Sequence, residues 1–272
     1  MPTENLIDIR KLIASKNPGL LKWLPRFVVK YLERILHQDE INQFMKECPN
    51  AMDADFCDEV MKFLNIKIVL KNLEKLPKEG RLVLAMNHPL GGMDAIALVS
   101  GLRETRTDLK YIVNDLLLNL NRMNGFFLGV DKHGKNSKSK REKINELFAS
   151  DYLVSIFPAG LVSRKTEGKV RDLAWKKTFI TLSKLNDRTI VPMHIDGHLS
   201  NFFYRLSNLR SKLGIKANIE MLYLSNELFK LRNSTITMTF GDPIPAKNLD
   251  PNLSSIEQAQ WVKEKVYQLE SK

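Results

Sequence analysis

Six short apolar runs, which begin at residue 66, constrain the fold of this chain more than any other feature of its sequence. Between them lie stretches in which apolar residues recur at helical spacing. Short runs rich in β-branched residues are typical of buried strands, and strands that alternate with helices favour a mixed or mostly parallel sheet covered by helices. The six predicted strands are Ile66–Leu70, Leu82–Met86, Tyr111–Val113, Leu153–Phe157, Ile190–Met193 and Thr235–Phe240.

The same patterns divide the chain into two regions. Residues 1–65 show only the helical pattern, so we expect an N-terminal helical region there and one α/β unit over residues 66–272. The predicted fold of that unit is a mixed, mostly parallel sheet flanked by helices, with its active groups at the carboxyl ends of the strands. The helices predicted in it are 94–103, 115–122, 138–149, 172–185, 201–213 and 255–269.

Residues 20–35 form an amphipathic, basic segment of the N-terminal region. Apolar side chains recur there at helical spacing, basic side chains fill the gaps, and Pro25 can occupy a first helical turn. Trp23 and Phe27 suit the head-group depth of an anionic membrane surface, and the same apolar stripe equally suits packing on a protein core. Both interpretations stay open. The apolar positions are Leu20, Leu24, Phe27, Val28, Tyr31 and Ile35, and the basic ones are Lys22, Arg26, Lys30 and Arg34.

Positive charge dominates the composition. Of the 272 residues, 42 are Lys or Arg and 31 are Asp or Glu, which gives a formal net charge of +11. A field of this sign favours an anionic partner, such as an anionic membrane surface, an acidic carrier protein or the phosphates of CoA. The basic segment 131–143 is either a cradle for such a partner or a solvated loop. Nucleic acid is not expected, because zinc-finger spacing, RNP-type aromatic runs and aromatic-interleaved basic stripes are all missing.

Neither membrane spans nor disulfides are expected. No apolar run reaches the roughly 20 residues of a membrane-spanning helix, and residues 1–8 lack the charged and apolar regions of a signal peptide. Cys48 and Cys57 are the only cysteines, and no CxxC pair or nearby histidine accompanies them. A disulfide framework or a structural metal site is therefore not expected. We expect a cytoplasmic protein that does not cross the membrane.

The segment Asn87–Asp94 closes the predicted strand Leu82–Met86 with a histidine and a carboxylate across a glycine-rich turn. Histidine titrates near neutral pH, and a carboxylate bonded to its Nδ1–H leaves Nε2 free to take a proton from an alcohol. Turns between strands and helices are where α/β proteins normally place such groups. His88 and Asp94 are therefore predicted to be a general base and its orienting acid. The alternative is a structural histidine in a tight turn.

Two further predicted strands end in polar segments, and the set resembles a known family. Together with the histidine turn, these segments resemble the four blocks of the PlsC-like lysophospholipid acyltransferase family. The match spans roughly residues 80 to 245 and implies a glycerolipid acyltransferase-like α/β fold. The blocks correspond to Asn87–Asp94, Gly125–Lys132, Phe157–Arg164 and Ile190–Gly197, with a late turn at Phe240–Pro245.

The spacing inside the first block departs from the family pattern. That pattern has four residues between its His and Asp, whereas five separate His88 from Asp94. We expect the flexible Gly91–Gly92 pair to absorb the additional residue. The form Asn-His-Pro-x-Gly-Gly resembles the hemolysin-labelled branch that acylates lyso-ornithine or lyso-glycine lipids.

The third block departs from the family in its charge. Ala159 stands where the family has Glu, and Val162 stands where an Arg often lies, which leaves Ser163 and Arg164 as the polar remainder. This change disfavours a standard glycerol-phosphate head group. An acceptor that carries a carboxylate, held by the planar fork of Arg164, fits the altered charge.

The resemblance implies an acyltransferase that moves a fatty acyl chain from a thioester of acyl carrier protein or CoA to the hydroxyl of a lyso-lipid. The acceptor would be a lyso-glycine or lyso-ornithine lipid, or alternatively 1-acylglycerol 3-phosphate. His88 would remove the hydroxyl proton while Asp94 orients the ring, without a cofactor or an enzyme nucleophile. The enzyme would work as a peripheral protein on the inner face of the cell membrane. The substrate-binding residues implied are Gly160, whose turn would supply oxyanion donors, Ser163, Arg164, Lys165, Asp131 and Lys132.

Two rival activities use the same residues differently. His194, Asp196 and His198 alternate along the chain, so on an extended strand all three would face one side, as ligands to zinc or iron do. That pattern indicates a metal-dependent hydrolase. A thioesterase is the other rival, since His88 can activate water in place of a lipid hydroxyl. A serine esterase is disfavoured, because the sequence contains no Gly-x-Ser-x-Gly motif.

Overall fold

The computed structural model describes residues 7–112, 121–126 and 137–270. The chain forms two compact units. The first, which we call the helical unit, consists of residues 7–51 and 199–232. The second, the sheet unit, consists of residues 52–198 and 233–270. These units divide the chain elsewhere than the predicted boundary after residue 65, and the two-domain division stays a prediction.

The described part of the sheet unit contains the strands and five helices. The strands are β1 (Lys67–Lys71), β2 (Leu82–Met86), β3 (Leu109–Tyr111), β4 (Leu153–Ile156), β5 (Arg164–Thr166), β6 (Lys169–Arg171), β7 (Thr189–Ile195), β8 (Thr235–Phe240) and β9 (Ile244–Pro245). The helices of both units are α1 (Ile9–Lys16), α2 (Pro18–Trp23), α3 (Arg26–Ile35), α4 (Gln38–Glu47), α5 (Asp53–Phe63), α6 (Gly92–Leu102), α7 (Ser137–Ala149), α8 (Thr178–Leu185), α9 (Asn201–Lys212), α10 (Leu224–Phe229) and α11 (Ser255–Tyr267).

Seven of the described strands form one sheet in the order β1-β8-β7-β2-β4-β3, with β9 paired to β7. The pairs β1–β8, β7–β2, β2–β4 and β4–β3 are parallel, and only β7–β8 and β7–β9 are antiparallel among them. The strands β5 and β6 form a separate antiparallel hairpin. The predicted fold class, a mixed and mostly parallel sheet flanked by helices, is confirmed.

The core of the sheet unit follows from the apolar sequences of β2 and β4. Every residue of both strands is buried, as expected for central parallel strands that are covered on both faces. The helix α11 packs against β2, β7 and α8, while α6 packs against β1 and α5. Phe179, Val262 and Val266 belong to this core, and each such side chain contributes about 1.5–3 kcal/mol by leaving water.

All six predicted strands have counterparts in the structure, with ends that differ by up to two residues, and Val113 of the third one lies outside the described residues. The predicted helix 172–185 begins only at Thr178, because the preceding residues make the tertiary contacts described below. The predicted helix 115–122 lies almost entirely outside the described residues. The hairpin β5–β6 and the helix α10 were not predicted.

A buried arginine joins α7 to the sheet. Arg188 has no exposed surface, and among the described residues its guanidinium donates to backbone carbonyls alone. It thereby satisfies several of the groups that the end of α7 leaves without helical partners. Burial lowers the pKa of Arg188 to about 10. Its acceptors are the carbonyls of Phe148 at 2.7 Å, Tyr152 at 2.8 Å, Leu82 at 2.9 Å, Leu147 at 3.0 Å and Ser150.

The helical unit is joined by contacts between its two chain segments. The rings of His37 and Phe229 stack with centroids 3.9 Å apart, and the hydroxyls of Tyr31 and Tyr223 lie 2.7 Å from each other. Within the first segment, the amphipathic segment of residues 20–35 does not form a single helix. It is interrupted by Pro25, which directly precedes α3 and cannot extend the hydrogen bonding of α2.

The first segment also exposes large apolar side chains. Trp23 is 86% exposed and Phe27 is 73% exposed, whereas Val29 and Ile35 of the same segment are buried. One part of the predicted apolar stripe therefore packs within the protein, and another part faces outward. Among the described residues, no helix is both long and apolar enough to cross a membrane.

Candidate active site

The side chain of Asn87 fixes the point at which the chain leaves β2. Its Nδ2 donates to the carbonyl of Ile195 at 2.9 Å, and its Oδ1 accepts the Ile195 N–H at 2.7 Å. The amide thus extends the pairing of β2 with β7 by one residue beyond the strand. Because both groups are buried, this pair anchors the start of the histidine turn firmly.

The turn that follows brings His88 and Asp94 into contact. Gly91 adopts φ +69° and ψ −134°, a conformation that is accessible mainly to glycine, and α6 begins directly after it. This places Asp94 in the first turn of α6, where its Oδ2 lies 2.8 Å from His88 Nδ1 and accepts the Leu90 N–H at 3.0 Å. The longer spacing is therefore absorbed by Gly91, while a Cβ at Gly92 would meet no neighbouring atom.

Asp94 is fully buried, and His88 is partly accessible. Burial raises the pKa of Asp94, while its hydrogen bond to His88 opposes that rise. The second oxygen, Oδ1, is buried without a hydrogen-bond partner, so the imidazole is the main polar neighbour of this carboxylate. Such a carboxylate favours a positive charge on the ring that it contacts.

The histidine ring is held from its face as well as from its edge. Its centroid lies 4.0 Å from that of Phe157, and the two planes are only 20° apart. The side chain is 17% exposed, and its Nε2 makes no hydrogen bond to any described residue. A ring fixed through Nδ1 with a reachable Nε2 has the arrangement that a general base requires.

A second carboxylate, Asp172, holds the backbone of the histidine turn. Its Oδ1 accepts the His88 N–H at 3.2 Å and the Ser163 hydroxyl at 2.6 Å, and its Oδ2 accepts the Trp175 indole N–H at 2.8 Å. The Ser163 N–H also donates to the His88 carbonyl at 2.8 Å. The histidine turn is thus tied on both sides to the segment around Ser163 and to Asp172.

A groove of about 550 Å³ borders the histidine turn. Its lining includes Asn87 and Pro89 of the histidine turn, residues of the β5–β6 hairpin, residues 194–198 at the end of β7, and Glu270. This volume lies within the roughly 300–1,000 Å³ of small-molecule sites in proteins. The groove therefore has the size of a small-molecule site and lies next to the histidine turn, although His88 itself is not among its lining residues.

Comparison with known proteins decides the family. The family model described as Acyltransferase matches residues 11–272. This chain belongs to that acyltransferase family. The enzyme is 46% identical over 266 residues to the lyso-glycine lipid O-acyltransferase of Bacteroides thetaiotaomicron, with 97% of each chain covered. It is 44% identical over 266 residues to the lyso-glycine lipid O-acyltransferase of Phocaeicola vulgatus, with 97% of this chain and 95% of that protein covered.

Among solved structures, the acyltransferase is similar to the 1-acyl-sn-glycerophosphate acyltransferase PlsC of Thermotoga maritima. The TM-score is 0.49 at 18% identity, and the match covers 97% of this chain and 94% of that chain. The resemblance inferred from the sequence motifs is confirmed by the family match and by the two curated relatives. The protein is an acyltransferase enzyme.

The predicted substrate-binding residues of the acyltransferase lie in different surroundings. Ser163 is buried and lines the groove, where its hydroxyl bonds to Asp172. Lys165 also lines the groove. Arg164 is buried, and its guanidinium donates to the carbonyl of Val162 at 2.6 Å. Arg164 is not among the residues that line the groove, and its predicted role at the acceptor head group stays a prediction.

Gly160 and the second block complete the predicted set. The Gly160 N–H donates to the Phe157 carbonyl at 2.9 Å, so in this structure it closes the turn rather than pointing to a substrate. A Cβ at Gly160 would lie 3.1 Å from Lys176 Nζ, which places an ammonium group beside this turn. Asp131 and Lys132 lie outside the described residues. The catalytic and binding roles of all these residues stay predictions.

The proposed metal triad of His194, Asp196 and His198 does not assemble. Among the residues that the structure describes, no three His, Cys, Asp or Glu side chains form a group suited to a metal ion. The strand β7 ends at Ile195, so the alternation on which the prediction rested does not continue to His198, which is exposed. His194 is buried, with Nδ1 2.9 Å from Asp196 Oδ1 but out of line for a hydrogen bond, and burial lowers its pKa.

Sequence reasoning missed Asp172, Trp175 and Tyr267. The turn Glu167–Gly168 separates two short strands, and both of its residues have positive φ, as tight two-residue hairpin turns require. A glycine in such a turn was the available signal for the hairpin that delivers Asp172 to the histidine turn. The contact from the Asp172 N–H to the Tyr267 hydroxyl, at 2.7 Å, spans 95 positions and leaves no local signal.

Proposed function

We propose that this acyltransferase moves a fatty acyl chain from a thioester donor to the hydroxyl of a lyso-glycine lipid, with His88 as general base. The contact of 2.8 Å between His88 Nδ1 and the buried Asp94 carboxylate carries the catalytic part of the proposal. The acceptor is proposed from the names of the two relatives, which are 46% and 44% identical over nearly the whole chain.

The chemistry follows from the protonation of one ring. As the hydroxyl oxygen attacks the thioester carbonyl carbon, His88 Nε2 takes its proton, and Asp94 stabilises the imidazolium that forms. The tetrahedral intermediate then collapses, the carbon–sulfur bond breaks, and the imidazolium returns the proton to the leaving thiolate. The products are an ester and a free thiol. The scheme needs no acyl-enzyme, since the lipid oxygen is the nucleophile.

The donor and the working surface are part of the same proposal. A formal charge of +11 suits the acidic surface of an acyl carrier protein and also the phosphates of CoA. Trp23 and Phe27 are exposed beside Lys22 and Arg26, which supports peripheral binding at an anionic membrane surface through the helical unit. We place this binding at the inner face of the cell membrane.

Two other activities are compatible with the same catalytic pair. The acceptor could be 1-acylglycerol 3-phosphate, in which case a phosphate would take the position of the glycine head group. A thioesterase would use water as acceptor and release a free fatty acid. The products formed from one labelled thioester distinguish the three reactions.

The test is acyl transfer by purified full-length chain, with acyl carrier protein thioester or acyl-CoA and with lyso-glycine lipid, lysophosphatidic acid or no acceptor. We expect an ester of lyso-glycine lipid, detected by mass spectrometry. His88→Ala and Asp94→Asn should each reduce kcat by about 10²–10⁴-fold, because base catalysis or its orientation is lost. Asp151→Asn, whose side chain is 98% exposed, is the matched charge control.

Three results would overturn the proposal. Transfer to lysophosphatidic acid alone would make the phosphate lipid the acceptor, and free fatty acid as the sole product would make the enzyme a thioesterase. Full activity of folded His88→Ala protein would show that His88 is not the general base.

A further inference from the structure

We propose that the groove beside the histidine turn binds the carboxylate of the acceptor head group, with Arg171 as its principal ligand. This inference rests on the proposed function and deepens it. A glycine joined to a lipid through its nitrogen keeps one free carboxylate, which the enzyme can recognise. Arg164, which the sequence suggested for this role, is buried against a backbone carbonyl.

The charge of the groove suits a monoanion. Its lining includes three cations, Lys165, Lys169 and Arg171, and two carboxylates, Asp196 and Glu270. Among the described lining residues, the formal charges of these five side chains sum to one positive charge. A carboxylate balances that charge, whereas a phosphate monoester carries about −1.5 to −2 and would leave the groove negative. The balance therefore favours a carboxylate over a phosphate head group.

Arg171 is held in place while its donors stay available. Its guanidinium carbon lies 4.2 Å from the centroid of the Tyr267 ring, which fixes the plane of the fork. The nearest carboxylate in the described structure is that of Glu270, at 3.8 Å from Nη2, beyond hydrogen-bond distance. A planar fork with free donors is the arrangement that binds a carboxylate through two parallel hydrogen bonds.

His194 adds a second polar group to the groove, from the side of the sheet. The ring is buried and packs edge-on against Tyr267 with centroids 5.6 Å apart. Its Nδ1 lies 2.9 Å from Asp196 Oδ1 without the alignment of a hydrogen bond. Tyr267 therefore supports both Arg171 and His194. Because burial lowers the pKa of His194, the neutral ring can donate a hydrogen bond without adding charge.

The groove is coupled to the catalytic turn through the same tyrosine. The Tyr267 hydroxyl accepts the Asp172 N–H at 2.7 Å, and the Asp172 carboxylate accepts the His88 N–H at 3.2 Å. A head group held by Arg171 would thus be positioned by the framework that also positions the general base. Ser163 is part of the same connection, because it lines the groove and its hydroxyl donates to Asp172.

The kinetic test compares N-(3-hydroxyacyl)glycine with its uncharged methyl ester. For Arg171→Gln we expect the KM for the acid to rise about 10–100-fold, the change expected for a lost charged hydrogen bond, with the KM for the donor unchanged. The KM for the methyl ester should be the same for wild type and variant. Arg171→Lys should lie between them, because it keeps the charge without the fork. Lys184→Gln, at an exposed position on α8, removes the same charge as a control and should leave both KM values unchanged.

A binding test separates this inference from the proposed function. Calorimetry with N-(3-hydroxyacyl)glycine and the His88→Ala protein measures head-group binding without turnover. If wild type acylates no glycine lipid but the acid still binds and Arg171→Gln weakens its binding at least tenfold, the groove assignment stands and the proposed function fails.

Three outcomes would overturn the assignment. They are an increase in the KM for the donor alone, equal effects of Arg171→Gln on the acid and on its methyl ester, and tighter binding of lysophosphatidic acid than of the glycine lipid. Should Arg171→Gln fail to fold, Lys169→Gln at the exposed end of the hairpin replaces it, with a smaller expected increase of about 3–10-fold in the KM for the acid.

Discussion

Replacement of Asp172 by asparagine tests how the histidine turn is held. The two residues have nearly the same shape, but asparagine carries an NH₂ group where aspartate carries an acceptor oxygen. In the native site, Asp172 Oδ1 faces the His88 N–H and the Ser163 hydroxyl, and Oδ2 faces the Trp175 indole N–H. In either orientation, the new amide therefore sets its own donor against one buried N–H.

The expected cost follows from that mismatch. A buried donor left without an acceptor costs about 1–3 kcal/mol, so we expect Asp172→Asn to lower the free energy of unfolding by about 2 kcal/mol. For a protein of this size, that corresponds to a decrease of about 4–8 °C in Tm. We expect kcat to fall about 10–100-fold as well, because the His88 backbone loses its anchor and small displacements of a catalytic group are costly.

A double-mutant cycle with Trp175→Phe isolates the cause. Phenylalanine removes the indole N–H, so in this background the asparagine can keep its oxygen on His88 and Ser163 without opposing another donor. Asp172→Asn should then cost less than about 1 kcal/mol, and the volume lost at residue 175 cancels within the cycle. Urea unfolding followed by circular dichroism measures all four proteins. Equal costs in the two backgrounds, within about 0.5 kcal/mol, would refute the mechanism.

Three further predictions concern other parts of the molecule. Arg188→Met should destabilise the protein by about 3 kcal/mol or more, measured by urea unfolding, because the carbonyls at the end of α7 lose their buried partner. Arg188→Lys should recover only part of this loss. The free energy of unfolding should fall as pH drops below 6.5, the ordinary pKa of histidine, because the unfolded chain takes up a proton that buried His194 resists. A His194→Gln protein should lack this part of the pH dependence. Trp23→Ala with Phe27→Ala should weaken binding to anionic vesicles at least tenfold in sedimentation assays without changing Tm by more than about 2 °C, because both side chains are exposed.

The sheet and the histidine turn were predictable because their signals are local. The apolar runs of β2 and β4 indicate buried strands directly. The turn Asn87–Asp94 contains the proposed base, its acid and two glycines within eight residues. The contact of His88 with Asp94 needs only the turn conformation of Gly91 and the first turn of α6. In such cases, spacing along the chain determines proximity in space.

The remaining site residues depend on contacts between distant segments. Asp172 reaches His88 across 84 positions, and Tyr267 reaches Asp172 across 95. The direction of the Arg164 side chain depends on the placement of the β5–β6 hairpin, which its three-residue strands do not reveal in the sequence. A local pattern cannot show whether a charged side chain points to a ligand or to a backbone carbonyl.

The helical unit is built from two distant segments of the chain, and this has a consequence for biosynthesis. Its first segment, residues 7–51, leaves the ribosome well before its second segment, residues 199–232, has been translated. Translation proceeds at about 5–20 residues per second, so the apolar faces of α3 and α4 stay uncovered for on the order of ten seconds or more. During that interval the nascent chain is a natural client for a chaperone, and a chain released at residue 198 would lack both the rest of this unit and the strand β8.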